Sequence, residues 1–434
     1  MRSMLLPLLA AFTITQVRAA DTGQAWVEMA PGGGSVVRAL TMAGVCPVIQ
    51  VDGQPKAMTE RAAPARLPAR TNKAHVATPL SFPTHVCEIH LSRRTRRARL
   101  GGHALAVPKA RIDRIVLIGD TGCRLKSADK AWQGCNDAAQ WPFAAIAARA
   151  AALHPDLVLH VGDYLYRENP CPADRQSCAD TAWGYGEDGW RADFLAPAAP
   201  LLGVAPWVMV RGNHEECARA GQGWWRLLDP HALRTGGDCL DPANDASGDH
   251  TDPYAVSLGG GAQIVVADLM ELASGKPGDA GVTATVARDM ARIARLSHGA
   301  KDSFVTAHFP FNPVLWDEKR SGAVAIGSKP VNAFTVPPLG HVRAMIAGHV
   351  HLFQYARFAD RPTQIITGFS GTMEDDPVVP GSLAAIAGKP GSPSVTALRT
   401  IIGRFGYALL ERRAHGWRLA AFAADGTRLG LFPL

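Results

Sequence analysis

The chain has 434 residues, 47% of them hydrophobic and 19% charged, with a formal net charge of +7. That length is enough to bury a large core in two or three domains, and the composition is that of an ordinary globular protein, not a disordered one. The positive charge is local: residues 61–111 hold 11 Lys or Arg against the single acid Glu88.

In chain order, the first segment combines Arg2, an apolar run over residues 4–14 and Val17-Arg18-Ala19-Ala20, the pattern of a secretory signal ending in small residues. The expected mature protein begins near Ala20 or Asp21. The apolar run is shorter than the roughly 20 residues needed to span a bilayer, so the expected product is exported, without a transmembrane segment. The first cysteine, Cys46, lies too far along to carry a lipid at the mature terminus.

Residues 21–110 read as a small β-rich domain or embellishment. Short extended runs at 35–40, 45–51 and 85–91 are separated by Gly, Pro and basic residues, with a Pro- and Arg-rich loop expected over 62–70. The run Ser92-Arg93-Arg94-Thr95-Arg96-Arg97-Ala98-Arg99 could contact an anionic surface. It lacks the interleaved aromatics of a nucleic-acid groove and is expected to be a solvated loop.

From Arg114, strands alternate with helical patterns, notably 141–153 and 282–297. Hairpins are expected at 254–258 with 263–268 and at 406–412 with 417–422, followed by a strand over 428–432. The alternation predicts α/β layers with two sheets. Residues 111–434 form the expected catalytic domain.

Eight cysteines suit an oxidising compartment: Cys46, Cys87, Cys123, Cys135, Cys171, Cys178, Cys217 and Cys239. The absence of any Cys-x-x-Cys pair argues against zinc-ribbon or thioredoxin chemistry. Four disulfides between sequence neighbours are expected, although eight cysteines allow about 105 pairings.

Five polar motifs each follow a run of apolar residues: Gly119-Asp120-Thr121-Gly122, Gly162-Asp163-Tyr164-Leu165-Tyr166, Gly212-Asn213-His214-Glu215, Val305-Thr306-Ala307-His308 and Gly348-His349-Val350-His351. The runs at 115–118, 157–161, 207–210, 304–307 and 345–347 read as buried strands. Ligands of open α/β sheets gather outside the carboxyl ends of such strands, so the motifs have a reason to converge. Singly each motif is weak, and a Gly-Asp after a strand is more often a turn. Together they supply enough hard donors for two cations, which would acidify a water and neutralise phosphate oxygens. Asp163, the carboxylate of the central motif, is the expected bridge between them.

In this order the five motifs resemble those of the purple acid phosphatases within the calcineurin-like metallophosphoesterases, over residues 112–434. The resemblance implies a four-layer αββα sandwich of two mixed sheets. It implies one metal site, usually Fe(III), formed by Asp120, Asp163, Tyr166 and His351. A second, divalent site (Fe, Zn or Mn) would use Asp163, Asn213, His308 and His349. A phenolate is a hard donor suited to Fe(III), which is independent chemical support for Tyr166 as a ligand. His214 would assist the leaving alkoxide while an acidified water attacks phosphorus in line. No other cofactor is implied.

The sequence departs from the family pattern in having no histidine over residues 309–319, where many members place a substrate-binding one. Asp317, Glu318 or Lys319 could stand there. The insertion over 168–189 is expected to be either a wall of the pocket or a disulfide-clipped surface loop, and residues 21–110 show no match to the fibronectin-like domain of plant members. The expected activity is hydrolysis of small phosphate monoesters at mildly acidic pH. A phosphodiesterase or nucleotidase on the same core is the alternative, and a secreted binding protein with a vestigial metal core is the non-enzymatic one.

Overall fold

The computed structural model describes residues 22–70, 80–234, 236–270, 272, 279–327, 331, 339, 341–374 and 379–434. The segment expected to be a secretory signal, residues 1–20, lies outside the described residues.

Two sheets pack face to face. The larger has ten strands, in the order Arg428–Pro433, Gly416–Ala423, Gly406–Arg413, Arg114–Ile118, Leu157–His160, Trp207–Met209, Thr22–Met29, Ser35–Thr41, His85–Leu91 and Thr59–Ala62. The smaller has seven, in the order Tyr254–Gly259, Ala262–Val266, Asp302–Thr306, Val342–Ala347, Thr363–Thr367, Phe353–Phe358 and Val395–Ile401. Each contains a parallel run: Arg114–Ile118 with Leu157–His160 and Trp207–Met209 in one, Ala262–Val266 with Asp302–Thr306 and Val342–Ala347 in the other.

Alternation along each strand sets the layers. Ile115 and Leu117 turn inward and meet Ile264, Phe304 and Ile346 of the smaller sheet. Val116 and Ile118 turn outward onto Phe143 and Ile146 of helix Phe143–Ala152, with Trp190 and Phe194 beside them. On the opposite outer face, Val265, Val305 and Met345 pack on Val286, Met290 and Ile293 of helix Ala280–Ser297. That helix is started by Asp279, whose carboxylate accepts from the backbone N–H groups of Gly281 and Val282. The order is helix, sheet, sheet, helix, the expected αββα arrangement.

The N-terminal β-rich region is present, and its strands extend the larger sheet. Thr22–Met29 pairs in parallel with Trp207–Met209, and Ser35–Thr41, His85–Leu91 and Thr59–Ala62 continue from it. A separate four-stranded sheet, including Val48–Val51 and Ala98–Leu100, covers one face. The stretch expected as a loop over 62–70 instead contains the strand Ala65–Leu67, paired with Leu80–Phe82. It is held inward because basic residues in and beside it find carbonyls. Arg61 donates to the carbonyls of Trp225 and His231, Arg70 to that of Cys239, and Arg226 donates back to that of Ala63. Arg38 likewise donates to the carbonyl oxygens of Leu227 and Asp229. The Arg38 and Arg61 guanidinium groups satisfy open carbonyls at the end of helix Gly221–Leu227. Part of the local positive charge is therefore structural. Arg93, Arg94, Arg96 and Arg97 remain exposed in a loop shaped by Asp52, which accepts from the N–H groups of Arg96 and Arg97, whereas Arg99, also exposed, lies in the strand Ala98–Leu100 and not in the expected loop.

All four disulfides join sequence neighbours, as expected: Cys46–Cys87, Cys123–Cys135, Cys171–Cys178 and Cys217–Cys239. No helix among the described residues is long and apolar enough to cross a membrane.

Glu28 gives a test of the buried charges beneath the N-terminal strands. Burial pushes its carboxyl up from 4.5 to about 7, even though Arg38 opposes the shift. A carboxyl raised in the folded state contributes stability below its unfolded pKa and loses it as pH climbs through the folded value. The loss should therefore fall between about pH 4.5 and 7 and amount to about 3 kcal/mol. Glu28→Gln removes the titration. Its thermal midpoint relative to wild type should rise between pH 5 and 7.5, and a constant difference across that range counts against the assignment.

Candidate metal centre

The carboxyl ends of the parallel strands in both sheets open on one spot. Arg114–Ile118 leads to Asp120, Leu157–His160 to Asp163, Trp207–Met209 to Asn213, Asp302–Thr306 to His308, and Val342–Ala347 to His349 and His351. Asp120, Asp163 and His349 have positive φ, at 54°, 60° and 70°. Non-glycine residues hold such backbone only where the surroundings impose it, often at functional sites. Two glycines allow the chains to approach. A Cβ on Gly212 would lie 2.1 Å from Asp163 Oδ1, and one on Gly348 would lie 2.5 Å from Asp120 Oδ2.

The side chains fall into two groups that share one oxygen. In the first, Tyr166 Oη lies 2.7 Å from Asp163 Oδ2, 3.1 Å from Asp120 Oδ1 and 2.9 Å from His351 Nε2. In the second, Asn213 Oδ1 lies 3.1 Å from His308 Nε2 and 3.0 Å from His349 Nδ1. His308 Nε2 is also 3.2 Å from Asp163 Oδ2. Asp163 Oδ2 thus faces both groups, while Asp163 Oδ1 accepts from the His214 backbone N–H at 2.8 Å. One ligand atom each from Asp163, His308 and His349 lie within 4.8 Å of one another.

The histidines are oriented from behind. His308 Nδ1 donates to the Val161 carbonyl at 2.9 Å and His351 Nδ1 to the Met373 carbonyl at 2.8 Å, which leaves Nε2 of each with its lone pair toward the centre. Asp120, Asp163, Tyr166, His308 and His351 are all buried. Among the described residues the ion-pair partners of Asp163 are His214 and His308, and that of Asp120 is His351, with no Lys or Arg paired to either carboxylate. Two buried carboxylates beside a phenol, faced only by imidazoles, make a donor set that fits cations.

The electrostatics agree with that deficit of positive charge. Burial pulls His308 down, but the Asp163 carboxylate outweighs it and lifts the imidazole to about 9. Desolvation, then the neighbouring His308, pushes the half-buried His349 down to about 4. Burial, followed by the carboxylates of Asp163 and Asp120, holds the Tyr166 phenol well above its ordinary value.

His214 stands apart from both groups, with Nε2 4.0 Å from Asp163 Oδ2 and its ring 3.7 Å from that of Tyr166 between centroids. On its far side Nδ1 is 2.9 Å from Glu168 Oε1, 3.2 Å from the Leu165 carbonyl and 2.6 Å from Arg219 Nη2. Arg219 also pairs with Glu168, and Tyr185 Oη donates to Glu168 Oε2 at 3.2 Å. The insertion over 168–189 therefore divides. Its clipped tip, with residues 173–176, is exposed, and its inner end delivers Tyr185 to the group behind His214.

The structure brings all eight expected residues, the seven donors and His214, to this centre. It does not bring Asp317, Glu318 or Lys319 there. They form the turn of the hairpin Val314–Trp316 with Val324–Ile326, and the Asp317 carboxylate accepts from the Lys319 N–H within that turn. The position beside His349 is taken by Phe309, with ring centroids 4.6 Å apart.

Three further residues support the centre without contributing a donor to it. Glu215 clamps the bridging loop, accepting at Oε1 from Tyr164 and Leu165 N–H and at Oε2 from Asp163 and Gly212 N–H. Burial, then the neighbouring Asp163, raises its carboxyl to about 8. Its place in Gly-Asn-His-Glu is a usable signal. Arg219 and Asp193, which accepts from the Tyr166 and Cys123 N–H groups, carry none.

Two layered sheets with hard oxygen and imidazole donors at their carboxyl ends have the architecture of a metal-dependent phosphoesterase. The family model for calcineurin-like phosphoesterase matches residues 113–353. The chain belongs to that family. No curated protein gives a significant sequence match. Among solved structures, the purple acid phosphatase PPD1 from yellow lupin (Lupinus luteus) seeds is similar, with a TM-score of 0.54 at 14% identity over 95% of this chain and 74% of that one. PhoD is similar with a TM-score of 0.52 at 12% identity, over 98% of this chain and 90% of that one. Both are likenesses of fold.

Proposed function

We propose that this protein is an exported two-metal phosphatase acting on small phosphate monoesters. The observation that carries the proposal is Asp163 Oδ2 set between two donor groups, Tyr166 with Asp120 and His351 on one side, Asn213 with His308 and His349 on the other. On this assignment Tyr166, Asp120 and His351 would hold Fe(III), Asn213, His308 and His349 would hold a divalent Fe, Zn or Mn ion, and Asp163 would serve both. The two cations would supply the Lewis acidity that makes a water nucleophilic and stabilises charge on the phosphate oxygens.

The chain's own residues supply the rest. His214, the imidazole near the centre that belongs to neither donor group, donates toward the leaving oxygen, steadied from behind by Glu168, Arg219 and the Leu165 carbonyl. Export is supported by the secretory pattern of residues 1–20 and by four disulfides. The exposed arginines over residues 93–99 present a basic rim suited to an anionic surface.

Elemental analysis combined with a visible spectrum tests the centre. Iron together with a visible phenolate band that disappears in Tyr166→Phe is the expected result, and iron without colour removes Tyr166 as a ligand. Assay against nitrophenyl phosphate and its bis-ester tests the substrate class, with activity on the diester alone overturning the monoesterase assignment.

A further inference from the structure

Gln133 lies between Cys123 and Cys135 of one disulfide loop and is 1% exposed. Its side-chain amide makes four hydrogen bonds. Oε1 accepts from the Arg124 N–H at 2.9 Å and the Met373 N–H at 3.0 Å, and Nε2 donates to the Gln140 carbonyl at 2.6 Å and the Gly371 carbonyl at 2.8 Å. It therefore ties the chain just after Asp120 to residues 371–373.

That short segment holds half of the centre. The Met373 carbonyl accepts from His351 Nδ1 at 2.8 Å. Thr372 donates from its N–H to the Asp120 carbonyl at 2.8 Å and from its hydroxyl to the Gly122 carbonyl at 2.7 Å. Among the described residues, Asn213 and His308 take no hydrogen bond from it: His308 is oriented by Val161, and Asn213 meets His308, His349 and Arg219.

We infer that Gln133 is a positioning residue for one metal only, the ion on the Asp120, Tyr166 and His351 side, acting through the Met373 carbonyl that orients His351. The inference rests on the two-metal assignment above. Removing this buried amide unties the half-buried Met373 N–H from the chain that follows Asp120. The Met373 carbonyl is then no longer held in place to fix the tautomer and direction of the His351 ring, and loss of such outer support typically weakens metal binding by about 10–100-fold.

The test is zinc binding to chelator-stripped protein, read by competition with a chromogenic chelator. Wild type should bind two ions. Gln133→Ala should weaken one by about 10–100-fold and leave the other within about threefold. Gln133→Glu keeps the acceptor for Met373 and Arg124 but loses the donors to Gln140 and Gly371. It should show the same selective loss in smaller measure, and it carries the test should Gln133→Ala not fold. Gln263→Ala, which removes a buried amide bonded to the Leu296 carbonyl and the Ser303 hydroxyl, controls for general loosening and should leave both affinities unchanged. Equal weakening of both ions, or of neither, in the Gln133 variants overturns the inference while leaving the two-metal centre standing. A wild-type protein that binds fewer than two zinc ions overturns the centre itself.

Discussion

Asp163→Asn should leave a folded protein that retains neither ion firmly and has lost on the order of 10⁴-fold in kcat/KM, because the Lewis-acid contribution of each cation is worth several kcal/mol. The reason lies in the single oxygen that both donor groups share. Asp163 Oδ2 is 2.7 Å from Tyr166 Oη and 3.2 Å from His308 Nε2, and no second carboxylate occupies that position among the described residues. An amide retains an acceptor oxygen for the His214 N–H but loses the negative charge that holds two cations close together. The backbone clamp from Glu215 to Asp163 N–H does not depend on the side chain, so the fold should survive. Metal analysis beside the assay distinguishes the outcomes. Two tightly held ions in Asp163→Asn contradict the bridge, and wild-type turnover contradicts the centre.

His214→Ala should do something different. It should lower kcat by about 10²–10⁴-fold, the range for removing a positioned acid or donor, with metal content unchanged. His214 supplies no atom to either donor group, and its backbone N–H to Asp163 survives the substitution. If the imidazole assists the departing oxygen, the loss must depend on how much help that oxygen needs. An alkyl phosphate, whose alkoxide leaves poorly, should suffer at least tenfold more than nitrophenyl phosphate. Equal losses on both substrates, or loss of metal, would assign His214 to structure instead.

The apolar strand runs and the polar residues at their ends are legible in local pattern. Residues such as Ile115 to Ile118 face packed layers on both sides and so are apolar throughout, and the first polar residue beyond them marks where the strand leaves the core. Convergence of Asp120, Asp163, Asn213, His308, His349 and His351 comes from parallel strands ending on one side. The disulfides join neighbours because each closes a local loop.

The features that local pattern does not supply depend on distant pairing. Nothing in Thr22–Met29 signals a parallel partner at Trp207–Met209, far along the chain. The basic residues Arg38, Arg61 and Arg70 resemble those of the exposed run over 93–99, yet they are buried, because their partners are carbonyls near and beyond helix Gly221–Leu227 that no spacing rule connects to them. For the same reason the support behind His214 is invisible in the sequence. Glu168 looks like the start of a loop, and Arg219 like a surface charge, until the fold places both against one imidazole nitrogen.

The donors are split by origin: Asp120, Asp163, Tyr166 and Asn213 lie beyond strands of the larger sheet, while His308, His349 and His351 lie beyond strands of the smaller one. Ions seated there would rivet the two halves of the sandwich across a seam that is otherwise held mainly by nonpolar packing. Slippage of one half against the other would have to tear coordination bonds at that rim, so loading with metal should merge the melting of both halves into a single, later and sharper transition.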